Sequence, residues 1–236
     1  MEQENGNYRD ISNQKIPSKI EIPLFHVRQR YNWDCGVSAV MMVLCEEDQK
    51  YLLENLEKIS SEEEFEKSTW TIDLAYLLLR FGIRHLYCTI TWGVNPGYTR
   101  ETFYEQVLSR DEQRVSEKFS RATEIGVNVQ LRSVDLSEIL LQLQLGNPAI
   151  ILVNANLLYC EKCHFKCVPQ LLNWCCMFSY QGHYIVACGY NMTEKKILYR
   201  NPTLTNKICI MPFEDFDKAR RSFGTDEDVI FVYKNR

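Results

Sequence analysis

One cysteine of this chain lies where its thiol could act as a nucleophile. Cys35 and Gly36 open an apolar run that predicts a helix over residues 36–45. A cysteine at a helix start meets unpaired backbone N–H groups and the positive end of the helix dipole, which both favour the thiolate. The carboxamide of Gln29 could fold back over the thiol and, with the N–H of Cys35, supply two donors to an oxyanion. The alternative interpretation is a buried core cysteine.

A thiol nucleophile also needs a base, and the chain has four histidines. His183 begins an apolar segment that predicts a strand over residues 183–190, and Asn201 with Pro202 ends the next predicted strand. Asn201 could accept the N–H of one ring nitrogen and leave the other nitrogen facing the thiol. A structural histidine is the alternative. The chain order of glutamine, cysteine, histidine and asparagine favours the catalytic interpretation.

These four residues resemble the papain-like cysteine peptidases, and most of all the leader-peptide peptidases attached to bacterial ABC exporters. In those enzymes the last member of the triad is usually an aspartate before proline. This chain has an asparagine there, Asn201, and papain also uses an asparagine. The resemblance implies that Cys35 is the nucleophile, His183 the base, Asn201 the residue that orients the base and Gln29 the oxyanion donor.

A longer likeness covers residues 25–234 and is to the eukaryotic guanylyl cyclase domain-containing protein family. The segments that carry it are Tyr31–Gly36, Trp70–Leu77, Tyr180–Val186, Arg200–Pro202 and Phe223–Tyr233. The family name implies cyclisation of GTP, for which a conventional cyclase holds two metal ions on a pair of aspartates. Acidic residues are plentiful, but the chain has no GxxxxGK[ST] loop, and Asp226–Asp228 is more simply a solvated loop.

The sequence therefore favours a cysteine-dependent hydrolase, or an inactive relative that binds a peptide or a protein chain terminus in the same cleft. Catalysis of this kind needs no cofactor. The first alternative is a guanylyl cyclase that makes cyclic GMP. The second alternative is a non-catalytic protein-interaction module.

A second group of cysteines predicts a metal site. Half of the ten cysteines lie between Cys160 and Cys176, and two thiolates in a Cys-x2-Cys pair can meet one zinc ion. We expect a structural zinc ion on Cys160, Cys163, Cys175 and Cys176, with His164 and Cys167 as alternative ligands. Free thiols, or disulfides in an oxidising compartment, are the other interpretations. Cys45 and Cys88 are expected in the core.

Composition sets the class of protein. The chain has 236 residues, 45% hydrophobic and 25% charged, which is typical of a folded protein, and a net charge of −4. The charge gives no basic surface for nucleic acid, and no apolar stretch is long enough for a membrane span. The first fifteen residues lack the apolar core of a secretory signal, so a cytoplasmic or nuclear location is expected.

The order of the predicted helices and strands indicates an α+β protein of papain-like fold, which is helical in its first half and antiparallel β in its second. Helices are expected over residues 71–80, with Thr71 as the N-cap, and after a capping box at Asp135 and Glu138. Residues 1–20 are expected to be a flexible segment, and residues 21–236 one domain with a cysteine-rich insertion at about 157–179. Arg220 and Arg221 are expected on the surface.

Overall fold

The computed structural model describes residues 17–95, 97, 102–163, 165–166 and 180–233. Its helices are α1 (Cys35–Met41), α2 (Glu46–Glu54), α3 (Leu56–Glu62), α4 (Thr71–Arg80), α5 (Thr102–Ile125), α6 (Leu136–Gln144) and α7 (Phe213–Arg220). Its strands are β1 (Lys19–Glu21), β2 (His85–Thr89), β3 (Val129–Leu131), β4 (Ala149–Asn154), β5 (Tyr159–Cys160), β6 (Phe165–Lys166), β7 (Gly182–Asn191), β8 (Lys196–Arg200), β9 (Cys209–Pro212) and β10 (Val229–Val232).

One large sheet, mostly antiparallel, organises the fold. Its strands follow the order β3-β2-β10-β4-β7-β8-β9, with β1 paired to β7, and β2 and β3 are parallel. The long strand β7 lies at the centre, where it pairs with β4 on one side and β8 on the other. Strands β5 and β6 form a separate small hairpin.

Helices cover both faces of this sheet. Ile150 and Leu152 of β4 join the apolar cluster formed with α1, α4 and α5, whereas Ile151 and Val153 join the cluster formed with α6 and α7. Successive residues of a strand point to opposite faces, so a strand covered on both sides is apolar throughout. The α+β class expected from the sequence is confirmed.

The two helices next to the candidate site differ in how well the sequence predicts them. Helix α4 has the expected bounds, but Trp70 and not Thr71 is its N-cap, and the Asp73 carboxylate accepts the backbone N–H of Trp70 at 2.9 Å. Helix α1 ends at Met41, earlier than expected. Cys45 consequently lies beyond it, exposed at the start of α2, so its assignment to the core is wrong. Cys88 is buried as expected.

Two expectations about charged residues are also wrong. Helix α6 begins after Asp135, but no side-chain capping bond forms, because Glu138 is held by Arg132 at 2.6 Å and Asp135 accepts a hydrogen bond from Arg221 at 3.3 Å. Arg220 is fully buried and donates to the Val134 carbonyl oxygen at 2.8 Å. A surface position for Arg220 is therefore excluded.

The beginning of the described chain is paired with the sheet. Lys19 and Ile20, which were expected to belong to a flexible N-terminal segment, pair with Asn191 and Tyr190 of β7. Gly189 permits this close approach, because a Cβ atom there would lie 2.1 Å from the Ile20 carbonyl oxygen. None of the described helices combines the length and apolar character that crossing a bilayer requires.

Candidate active site

A short, tightly folded loop delivers Cys35 to the start of α1. The buried Asp34 carboxylate accepts the backbone N–H groups of Arg30 at 3.1 Å and Tyr31 at 3.0 Å. Cys35 follows as the first residue of α1 and is 8% exposed. Gly36 lets α1 pack closely on the sheet, because a Cβ atom there would lie 3.0 Å from the Tyr184 ring.

Burial controls the charge of the Cys35 thiol. It raises the pKa of Cys35 to about 11, although hydrogen bonds from the backbone N–H groups of Tyr184 and Gly36 oppose the rise. The negative charge of Asp34 raises this pKa further. The helix start alone favours the thiolate, but the loss of solvent around the sulfur outweighs that effect here. Cys35 is therefore a neutral thiol near pH 7 in the free protein, not the expected thiolate.

His183 and Asn201 form a buried pair at the ends of neighbouring strands. His183 is the second residue of β7, and Asn201 directly follows β8. The His183 Nε2 atom lies 2.9 Å from Asn201 Oδ1, and the amide oxygen can only accept, so Nε2 carries the proton and Nδ1 keeps its lone pair. Burial lowers the pKa of His183, partly offset by the hydrogen bond with Asn201. The imidazole is accordingly neutral near pH 7.

Gln29 lies beside this pair. Its backbone N–H donates to the Pro202 carbonyl oxygen at 2.9 Å, and its side-chain oxygen accepts the Thr203 hydroxyl at 3.2 Å. The same Thr203 hydroxyl is 3.4 Å from His183 Nε2. The amide Nε2 of Gln29 donates to the Tyr31 carbonyl oxygen at 2.7 Å. One of the two N–H donors of its side-chain amide is thus engaged within the loop.

The structure brings Gln29, His183 and Asn201 together around Thr203. Cys35 lies beside Tyr184, the residue of β7 next to His183. The Cys35 sulfur accepts the N–H of Tyr184, the residue that follows His183. Among the described residues, Cys35 and His183 make no hydrogen bond to each other. Catalytic hydrogen bonds are often long or misaligned in ligand-free proteins and tighten when substrate binds.

A cavity of about 480 Å³ opens beside Cys35. The residues that line it include Trp33 and Trp70, and the acidic Asp226 and Asp228. Trp33 is held in place by parallel stacking on Tyr31, with ring centroids 5.7 Å apart. A volume of this size is typical of small-ligand and side-chain pockets.

Asp228 is the most perturbed acid of the site. Its carboxylate accepts the Tyr87 hydroxyl at 3.0 Å and the Thr71 hydroxyl, which also contacts the Tyr184 hydroxyl at 2.9 Å. Burial and the charge of Asp226 raise its pKa to about 7, although the hydroxyl donors oppose the rise. The expectation of a solvated loop is therefore wrong for Asp228, which is 6% exposed.

A group of three thiols lies away from this cavity. The sulfur atoms of Cys160, Cys163 and Cys209 are within 4.8 Å of one another. Two of these residues belong to the zinc site expected from the sequence, and Cys209 does not. Cys175 and Cys176, the other two expected ligands, lie outside the described residues.

Sequence reasoning missed three residues of these two sites. Thr203 follows Asn201 by two positions, and a hydroxyl so close to a candidate triad residue was an available signal. Asp228 was hidden by its acidic neighbours, which made the whole segment look solvated. Cys209 stands alone in the sequence, and it meets the other cysteines because β9 lies against the end of β5, where the Glu161 N–H donates to the Ile210 carbonyl oxygen.

Comparisons with known proteins agree on the family and the fold. A family model described as guanylylate cyclase matches residues 24–232. Guanylyl cyclase 1 from Arabidopsis thaliana is 38% identical over 232 residues, which are 97% of this chain and 81% of that protein. A crystal structure described as a C39-like peptidase from Bacillus anthracis matches with a TM-score of 0.52 and 14% identity, over 93% of this chain and 99% of that chain. Xylellain, a cysteine protease from Xylella fastidiosa, matches with a TM-score of 0.45 and 14% identity, over 94% and 88% of the two chains.

Proposed function

Since this chain belongs to the guanylylate cyclase family and has the fold of a C39-like peptidase, we propose that it is a thiol-dependent hydrolase of peptide or protein chain termini. The observation that carries the proposal is the buried hydrogen bond between His183 and Asn201, 2.9 Å long, on a strand whose next N–H faces the Cys35 sulfur. A neutral imidazole held by an amide beside a thiol is the arrangement that general-base activation of a nucleophile requires.

The proposed reaction starts from a neutral thiol and a neutral imidazole. The Cys35 sulfur attacks the substrate carbonyl carbon while its proton passes to Nδ1 of His183, and a tetrahedral oxyanion forms. The imidazolium then gives this proton to the leaving amine, the C–N bond breaks and a thioester remains. Water, deprotonated by the same Nδ1, hydrolyses the thioester and restores the thiol. Asn201 keeps Nε2 protonated throughout, so that Nδ1 is the nitrogen that exchanges protons.

Two donors would stabilise the oxyanion in this reaction. One is the backbone N–H of Cys35, and the other is the Nε2 amide of Gln29, as expected from the sequence. One N–H of this amide donates to the Tyr31 carbonyl oxygen at 2.7 Å, so the other N–H is the donor assigned to the oxyanion.

The cavity beside Cys35 supports a preference for one type of side chain. Trp33 and Trp70 offer apolar walls, while Asp226 and Asp228 offer acceptors at its acidic side. A substrate residue with a long apolar stem and a cationic or donor end matches both features. The same cavity would serve an inactive relative that only binds such a chain.

Guanylyl cyclase activity is the second candidate, favoured by the names of the family and of the Arabidopsis relative. A conventional cyclase needs two ionised carboxylates turned toward metal ions. Both oxygens of Asp228 accept hydroxyl donors, from Thr71 and Tyr87. Asp226 accepts Thr91 at 2.6 Å and Asn95 at 3.0 Å. These residues fit a metal pair poorly, which supports the hydrolase over the cyclase.

Cleavage of a peptide library tests the proposal. The wild-type chain, Cys35→Ala and Cys45→Ala are each incubated with a tryptic peptide library, and new termini are identified by mass spectrometry. We expect cleavage by the wild type and by Cys45→Ala, whose thiol is exposed and outside the cavity, and none by Cys35→Ala. The same three proteins are assayed with GTP and magnesium. An absence of cleavage, together with cyclic GMP formation that Cys35→Ala leaves intact, would contradict the hydrolase.

A further inference from the structure

Three cysteines from two distant parts of the chain converge at the edge of the large sheet. Cys160 ends β5 and Cys163 lies in the turn that follows, whereas Cys209 is the first residue of the edge strand β9. Cys160 and Cys209 are buried, with exposed fractions of 1% and 0%. Their sulfur atoms and that of Cys163 lie within 4.8 Å of one another. This distance matters because a tetrahedral zinc ion with Zn–S bonds of ~2.3 Å separates its sulfur ligands by about 3.8 Å.

The backbone around Cys160 has the form of a zinc knuckle. The Cys160 sulfur accepts the backbone N–H of Cys163 and the backbone N–H of Ile210, each at 3.4 Å. Two N–H donors on one sulfur stabilise its thiolate and fix its direction, as second-shell donors do at metal centres. They also leave lone pairs of the sulfur for a cation. The Cys-x2-Cys turn is therefore folded around its first sulfur before any metal binds.

Zinc is bound by thiolates, and three thiolates this close together repel one another. A divalent cation between sulfur atoms that lie within 4.8 Å of one another replaces this repulsion with attraction.

We infer that Cys160, Cys163 and Cys209 bind one zinc ion through their three thiolates. This site differs from the one expected from the sequence, because it takes a ligand from β9 and so joins the β5–β6 hairpin to the main sheet. The two parts are already linked by the Glu161 N–H, which donates to the Ile210 carbonyl oxygen at 3.1 Å. The zinc ion cross-links the hairpin to the edge strand and has a structural role, independent of the proposed hydrolase.

Metal content of the full-length chain is the first test. The protein is expressed in zinc-supplemented medium, purified under reducing conditions and analysed by elemental mass spectrometry. We expect about one zinc ion per chain in the wild type and a loss of most of it in Cys209→Ala. Cys88→Ala is the matched control, because Cys88 is equally buried on β2 but outside the group, and it should keep its zinc. Wild-type protein that is free of zinc, or full occupancy in Cys209→Ala, would overturn the inference.

A second measurement on the wild-type protein does not depend on whether the variants fold. X-ray absorption at the zinc edge counts the sulfur atoms bound to the metal, and three or more at ~2.3 Å are expected. Fewer than three sulfur ligands would overturn the inference. So would a disulfide between two of these cysteines in metal-free protein, found by mass spectrometry without reduction. Removal of the metal by a chelator should lower the melting temperature of the protein. The peptide-cleavage assay tests Cys35 independently of this site.

Discussion

Replacement of Asp228 by asparagine should change how the stability of the protein depends on pH. The folded protein raises the pKa of this carboxyl from 3.8 to about 7, because Asp228 is buried and lies near Asp226. Between these two pH values the folded state holds a proton that the unfolded state has lost. Stability from this group is fully present below about pH 4, falls as the pH rises and is lost above about pH 7.

The magnitude follows from the shift. A shift of about 3 units corresponds to about 4 kcal/mol in the free energy of unfolding, or about 1.4 kcal/mol for each pH unit in the window. Asparagine at position 228 does not titrate, so it removes this slope. From about pH 5 to about pH 8, the stability of Asp228→Asn relative to wild type should therefore rise by about 3 kcal/mol. A constant offset from altered hydrogen bonds to Thr71 and Tyr87 does not affect this difference.

Urea unfolding followed by tryptophan fluorescence, at several pH values across this range, measures the effect. Glu47→Gln is the matched control, because it also removes one carboxylate but from an exposed position at the start of α2. The free energy of unfolding of Glu47→Gln should change with pH in the same way as that of the wild type. If the curves for wild type and Asp228→Asn also run parallel, Asp228 does not hold a proton near neutral pH and the charge assigned to the cavity wall is wrong.

Two further predictions concern the packing around the sheet. In Gly189→Ala the new Cβ atom meets the Ile20 carbonyl oxygen, so β1 should detach from β7. The Ile22 amide, which donates to the Cys188 carbonyl oxygen, should then lose its protection from hydrogen exchange. Unchanged protection would refute the close approach. Arg220→Met removes a buried hydrogen bond to the Val134 carbonyl oxygen, which keeps its bond from Arg221 at 3.0 Å, and also removes the ion pair with Asp217. Because hydrogen bonds of charged groups are lost, it should cost about 1.5–3 kcal/mol in urea unfolding. Lys218→Met on the exposed side of α7 should cost little, and equal effects would contradict the buried role of Arg220.

The sequence predicts a helix or strand correctly where a pattern of neighbouring residues dominates its stability. Helix α4 has the expected bounds because its apolar residues repeat at helical spacing and Gly82, at a φ of +65°, lies just beyond its end. Strand β4 is apolar from Ala149 to Val153 because helices cover both its faces. Such signals are carried by neighbouring residues, so the sequence displays them directly.

Contacts between distant segments explain what the sequence does not predict. Asp228 looks solvated beside Asp226 and Glu227, but it begins the approach to β10 and is buried against α4 and β2. The low pKa expected for Cys35 fails for the same reason, because burial by the sheet outweighs the local effect of the helix start. A residue's type and its neighbours in sequence do not reveal how much solvent the fold removes from it.

The measurement that tests the central claim most directly is the rate at which a peptidyl epoxide labels Cys35 near neutral pH. Burial keeps the pKa of Cys35 at about 11, so rapid labelling requires a base that takes the proton during attack. We predict that His183→Ala slows labelling of Cys35 by at least about 100-fold, the lower end of what a general base contributes, while labelling of the exposed Cys45 in the same sample stays unchanged. Labelling of Cys35 at the same rate with and without His183 would contradict the proposal that these two residues act together.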